Sequence, residues 1–249
     1  TSRADACVGG AISCNASGFT PGEIGAIRSW VQSIGFLLPD GTRVQARRGD
    51  YVSENGEFIL VHRSGQTRLP VPRYPRPTIK NAGGPWSMES GVMDFVDMVI
   101  GSEGIFGTIT ACSLKLQKRP SDYLDVFFSL PAEADALRFH SHLSACLPGG
   151  LGSLSAFEYF GVNCRRYMKH EERLFRGTDP VGIYVQVPLV DRPLDDAAAE
   201  WFERITGSGC NIQEDAILLL DNDRDRQIFF ESRHSLPANS LEVAKHRGT

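Results

Sequence analysis

The sequence lacks any excess of basic residues. Its 249 residues carry 26 Lys and Arg against 30 Asp and Glu, a net charge of −4, and a chain of that balance does not gather nucleic acid. It also lacks a long apolar run. Nothing approaches the roughly 18 residues of a membrane-spanning helix, and the first residues lack the basic-then-apolar order of a secretory leader. No Cys-x-x-Cys pair occurs among Cys7, Cys14, Cys112, Cys146, Cys164 and Cys210, which argues against a zinc or cluster site within the chain. Scattered cysteines in a chain of this length read as reduced, buried small hydrophobes and so as a cytoplasmic setting. There is no internal repeat, and no low-complexity tract beyond PVPRYPRP at Pro70–Pro77. What remains is a globular composition, 41% hydrophobic and 22% charged, enough for one large domain or two ordinary ones.

Turn chemistry and hydrophobic period then divide the chain. GGAISCNASGF (Gly9 to Phe19) is built almost wholly from small residues, and its Asn-Ala-Ser-Gly reads as a tight turn rather than a helix. WVQSIGFLLPDGTRVQA predicts two strands about the Pro39–Gly41 turn, and GEFILVHRSGQTRLPV a second hairpin turning near Ser64-Gly65. TITACSLKLQ predicts a strand through Ile109, Cys112, Leu114 and Leu116. Beyond Pro120 the pattern changes. Strand-like YLDVFFSL, SLSAFEYFG, VGIYVQVPLV and DAILLLD alternate with helical PAEADALRFHSHLSACL, VNCRRYMKHEERLF, PLDDAAAEWFERITGSG and DRDRQIFFESRHSLPANSLEVAKH, the last interrupted at Pro237. The order predicts an α+β protein with a first domain over residues 1–119 and a second over 120–249. In the second, an antiparallel, ferredoxin-like sheet is expected to carry helices on one side.

Two glycine-rich stretches raise the question of a ligand. Gly9–Gly18 and VIGSEGIFGTITACSLKL, with Gly101, Gly104 and Gly107 at every third position, each leave a backbone that a bound group can approach without meeting a Cβ. Successive glycine N–H groups also suit an anion such as phosphate. The alternative for either stretch alone is an ordinary turn. The spacing is not the dinucleotide fingerprint and follows no βαβ pattern, so a Rossmann NAD site is rejected. His140 and His142, two apart on a helix, point to different faces and make no metal pair. DNDRDR lacks the Gly and closing Glu of a calcium loop, and no metal site is read.

Taken together, VGGAISCNASG, LPDGT, KNAGG, MDFVDMVIGSEG and IGSEGIFGTITACSLKLQKRP resemble, in order, the second half of the FAD-binding domain of vanillyl-alcohol-oxidase-type (VAO/PCMH) flavoproteins. Within that superfamily they are most similar to the branch that holds D-lactate dehydrogenase, glycolate oxidase and D-2-hydroxyglutarate dehydrogenase. The resemblance implies that Gly9, Gly10, Asn15, Ala16, Ser17 and Gly18 present backbone groups to FAD. Gly101, Ser102, Glu103, Gly104 and Gly107 would form a second wall, with Ile109 near the adenine end through its backbone. Glu103 is expected either to be buried and cap backbone N–H groups or to touch the flavin. The chain departs from the family at Ile105-Phe106, commonly Thr-Leu, and at Gly84-Pro85, commonly Gly-Tyr.

The residues after about 120 resemble the substrate (cap) domain of the same enzymes, SAFEYF with Glu158 and IFFESRHSLP with Arg233. Arg233 is implied to hold a substrate carboxylate, a role that suits a planar guanidinium fork. His234 beside it reads as a surface residue or a weak proton-transfer candidate. The chain opens without an initiator Met and stops just after the Arg233 helix, so it is expected to be a piece of a longer enzyme with no catalytic base of its own. That enzyme would oxidise a small 2-hydroxy acid by hydride transfer to FAD and pass electrons to a protein or a quinone, with no transmembrane segment and a location in the cytoplasm or peripheral to the inner membrane. The alternatives are a non-catalytic docking module, or a flavoenzyme of alkyl-glycerone-phosphate synthase or aryl-alcohol oxidase type.

Overall fold

Among the described residues, alternating apolar side chains help set three sheets, of three, two and four strands. The computed structural model describes residues 6–71, 75, 77, 83 and 92–247, so KNAGG and the Gly84-Pro85 departure lie largely outside the described residues. The chain divides into two compact units, Thr1–Lys118 and Arg119–Thr249, each with its own hydrophobic cluster.

The first unit runs from a short helix α1 (Val8–Ser13) to strands β1 (Val31–Leu37) and β2 (Arg43–Arg47), hairpin strands β3 (Glu57–His62) and β4 (Gly65–Pro70), helix α2 (Phe95–Val99) and strand β5 (Thr108–Leu114). β1 lies between β2 and β5, antiparallel to both, and β3–β4 form a separate ribbon. At the predicted Pro39–Gly41 turn, Asp40 Oδ1 accepts the Thr42 N–H at 2.9 Å, and these bonds hold the Asp40 carboxyl below its usual range. Asp94 starts α2 by accepting the Val96 N–H at 2.8 Å, the usual job of a short polar cap. The next residue, Phe95, meets Phe36, Tyr51 and Phe58 edge-on and closes this core.

The Asn15–Gly18 turn is preceded by a short helix that the small residues did not predict. Val8–Ser13 coil once and a half around the buried Ile12. The helix ends with Ala16 N–H on Ala11 O and Asn15 N–H on Ile12 O, a Schellman ending with Asn15 at φ +45°. Small residues hid the helix, because its one apolar anchor is single and its remaining support comes from distant segments.

The second unit contains β6 (Asp122–Leu130), α3 (Glu133–Cys146), β7 (Ala156–Phe160), α4 (Glu171–Leu174), β8 (Val181–Leu189), α5 (Leu194–Thr206), β9 (Ile217–Leu219) and α6 (Asp223–Arg247). The sheet order is β7-β8-β6-β9 with every pair antiparallel, the ferredoxin-like arrangement. Leu124, Val126, Phe128 and Leu130 face α3 and α5 through Phe139, Leu143, Trp201 and Ile205. Asp125, Phe127 and Ser129 point the other way, where Phe229 of α6 lies 5.9 Å from Phe127. Helices therefore cover both faces of the sheet rather than the one expected.

Two helix expectations are corrected. VNCRRYMKHEERLF is not one helix but a 3-10 turn at Arg165–Tyr167 and the single-turn α4, divided at His170 with φ +55°. Arg165 binds the carbonyls of Gly177 and Asp179 and the carboxylate of Glu171, which holds this segment as a folded loop. α6 runs unbroken through Pro237, although a proline inside a helix costs about 3 kcal/mol. Tertiary bonds on either side offset it: Ser235 accepts the Lys169 N–H, and Asn239 donates to the Tyr167 carbonyl.

Candidate functional site

In the first unit the two glycine stretches are brought together by the backbone itself. Gly101 N–H donates to Ile12 O at 3.0 Å, and Glu103 N–H to Ser13 O at 2.8 Å. Arg28 registers both from below. Its N–H donates to Asn15 Oδ1 at 3.1 Å, its Nη1 reaches the carboxylate and carbonyl of Asp97, and its Nη2 reaches Ile100 O at 2.6 Å. Arg48 shares the Asp97 carboxylate at 3.0 Å. The buried Arg28 thus ties the end of α1 to the segment that enters the glycine loop. The sequence alone did not single it out, since a lone arginine before a strand carries no pattern.

The glycines themselves fall into two groups. Gly101, Gly104 and Gly107 take φ of +82°, +81° and +146°, so the loop conformation alone calls for glycine. At Gly107 a Cβ would also collide with the Leu37 carbonyl and lie 2.9 Å from the Phe36 ring. Gly9 and Gly10 are different. They stand in α1 with no left-handed φ, and among the described residues a Cβ at either would meet nothing within 4 Å.

The remaining candidates sit as follows. Asn15 is fully buried, and Asn15, Ala16 and Gly18 spend their N–H groups on Ile12, Ala11 and Gly25. Ser17 bridges Ala26. Ser102 is buried, whereas Glu103 is exposed at φ +53°, so the expectation of a buried capping carboxylate is corrected. Ile109 stands on β5 opposite Phe36, half-buried against the core. Beside the loop, Ile105 is 71% exposed.

In the second unit Arg233 of α6 and Glu158 of β7 form a bidentate pair, Nε to Oε2 at 2.8 Å and Nη2 to Oε1 at 2.7 Å. They line an open cavity of about 450 Å³ with Tyr159, Phe160, Cys164, Leu236 and Pro237. Burial pushes the Cys164 thiol up. His234 is exposed, its ring 6.2 Å from Phe230, and it does not line this cavity.

A second polar cluster was not anticipated. Asp125 Oδ1 accepts from Tyr184 OH at 2.6 Å and Gln186 Nε2 at 2.9 Å, while Oδ2 accepts from Arg226 Nε at 3.2 Å. Burial first, and the Asp125 charge second, raise the Tyr184 phenol well above its usual range. A signal existed: a charged residue amid YLDVFFSL is buried only when paired. Among the described residues no three His, Cys, Asp or Glu side chains converge to hold a metal, and no helix is long and apolar enough to cross a membrane.

These features define, as a class, an α+β protein of two units, one holding the glycine loop and the other a ferredoxin-like sheet with Arg233 and Glu158 at an open cavity. Sequence comparison gives a particular likeness. D-2-hydroxyglutarate dehydrogenase, mitochondrial, of Bos taurus is 28% identical over 150 residues, 58% of this chain and 27% of that protein. It is one of the enzymes whose motifs the glycine stretches resemble. Two crystal forms of alkyldihydroxyacetonephosphate synthase align over 86% of this chain and 32% and 33% of theirs, at 14% identity with TM-scores of 0.48 and 0.46. No family model matches the chain. The chain thus spans about a quarter of the curated relative's length.

Proposed function

We infer that this chain is part of an FAD-dependent oxidoreductase that oxidises a small 2-hydroxy acid. One observation carries the reading: Gly9 and Gly10 answer to no packing or conformational need among the described residues, yet glycine inside a helix is less stable than alanine by about 0.5–1 kcal/mol each. A bare helix surface is what a ligand lying against the backbone requires. The residues present fit FAD in that sense. Gly9 and Gly10 would form one wall and the Gly101–Gly107 loop the other, with Ile105 offering apolar surface at the edge. FAD, when bound, supplies the acceptor for the substrate's hydride. The likeness to a 2-hydroxy-acid dehydrogenase supports the substrate class.

The chain's own residues bind and orient. Asn15, Arg28 and Asp97 fix the two walls against each other before any ligand arrives. Arg233 offers a guanidinium fork to the substrate carboxylate, which would fix the orientation of the Cα. Turnover then calls for an electron-accepting protein or quinone, reached from solution or at a membrane surface.

Titration of the purified chain with FAD, following flavin fluorescence and melting temperature together, tests the reading. A ligand that binds only the folded state raises the melting temperature by mass action. Saturable quenching with a matching thermal rise is expected. Absence of both for a folded chain would overturn the cofactor assignment.

A further inference from the structure

The Arg233 fork is occupied. Both oxygens of Glu158 sit on its Nε and Nη2, with the two side chains only 20% and 21% exposed. Among the described residues lining the cavity, Glu158 supplies the sole carboxylate. A ligand carboxylate has the shape and charge of the Glu158 group and competes for the same two donors. We propose that Glu158 is the resident occupant of a carboxylate site: it fills the Arg233 fork while the cavity is empty and yields Nε and Nη2 to the carboxylate of an incoming small acid. The proposal rests on the reading of Arg233 as the substrate's anchor and deepens it, because Glu158 then sets both affinity and selectivity.

Two observations favour exchange over a permanent bridge. Glu158 stands on β7, the edge strand of the sheet, beside an open cavity. The displaced carboxylate therefore turns toward water rather than into apolar core, where a lone charge is costly. α6 also keeps its seat without this pair, through Phe229 stacked 4.3 Å from Tyr184 and Arg226 on Asp125. Only an anion can compete with Glu158 for a guanidinium, so neutral analogues of the same size are turned away.

Glu158→Gln keeps the side chain's size and removes its charge. Calorimetric titrations of the whole chain, as wild type, E158Q and E158Q/R233Q, would use D-2-hydroxyglutarate and D-lactate, with lactamide as the neutral control. E158Q is expected to bind the acids at least about tenfold more tightly than wild type, lactamide to bind none, and the double variant to lose the acids. If E158Q binds no more tightly than wild type while the double variant loses binding, Arg233 remains an anchor and the exchange is overturned. If none of the three binds either acid, the Arg233 assignment falls and the exchange with it. The double variant removes both members of the pair together, and its far-UV circular dichroism and melting temperature confirm that loss of binding is not loss of fold.

Discussion

If Gly9 and Gly10 are kept bare for a ligand, the fold without that ligand should prefer alanine at both positions. Gly9→Ala/Gly10→Ala adds two methyl groups that meet nothing within 4 Å among the described residues, and neither position takes a left-handed φ. Each change reduces the backbone entropy of the unfolded chain and restores helix propensity, worth about 0.5–1 kcal/mol in a helix interior. Both lie in the first turn of α1, so the lower end applies, about 1 kcal/mol together. For a unit of this size that is a rise of roughly 3–6 °C in melting temperature, measured by calorimetry without cofactor. The same double variant should lose FAD affinity by tenfold or more, because two Cβ atoms now stand where the ligand lies. Gly107→Ala is the counter-case: its Cβ collides with Leu37 and Phe36, and the variant should lose several kcal/mol from overpacking and strain together. A double variant that is less stable than wild type, or that binds FAD equally well, would refute the argument.

Arg28→Ala removes the tie between α1 and the loop entrance and leaves Asp97 and the Ile100 carbonyl short of a donor. With Asp97 partly solvated and still held by Arg48, the loss is set near the low end for a broken buried pair, about 3 kcal/mol, read as a lowered urea midpoint. Arg28→Lys should recover only part of it, since one ammonium replaces a fork. Tyr184→Phe takes one of three donors from Asp125 and is expected to cost about 1–2 kcal/mol; no change in stability would show that the Asp125 cluster is not coupled to folding. The Tyr159 phenol, pushed up to about 12 from an ordinary 10.0 by burial and then by its bond to Glu133, gives a pH window. A raised folded-state value means that its contribution to stability is whole below pH 10 and drains as pH rises toward about 12. The side chain is nearly half exposed, so the effect is small, but Tyr159→Phe should remove a late step from an alkaline absorbance titration. A titration unchanged by that substitution would refute the assignment.

Much of the fold could be read from local rules. Pro39-Asp40-Gly41 between two apolar runs announces its hairpin, and the alternation in YLDVFFSL and VGIYVQVPLV separates two faces of a sheet. Features that depend on distant partners could not be read in this way. α1 hangs on one isoleucine and on backbone bonds from residues nearly ninety positions away in the chain. The Arg233–Glu158 pair joins positions 75 apart, and nothing near either residue names the other. Pro237 misled because a proline's local cost is visible in sequence, while the Ser235 and Asn239 bonds that offset it are not. The glycine loop was legible as a loop, but only the geometry separates the glycines the backbone needs from the two it does not.

The length of α6 has a consequence for motion. Its 25 residues span roughly 37 Å, yet the aromatic stack, both ion pairs to the sheet and the Ser235 and Asn239 bonds all fall at or before Asn239. None of residues 240–246 is buried. The turns around Phe229, held by the aromatic stack and by ion pairs on either side, therefore exchange their amide hydrogens only when the whole unit unfolds. One continuous helix thus carries its slowest-exchanging amides in its first half.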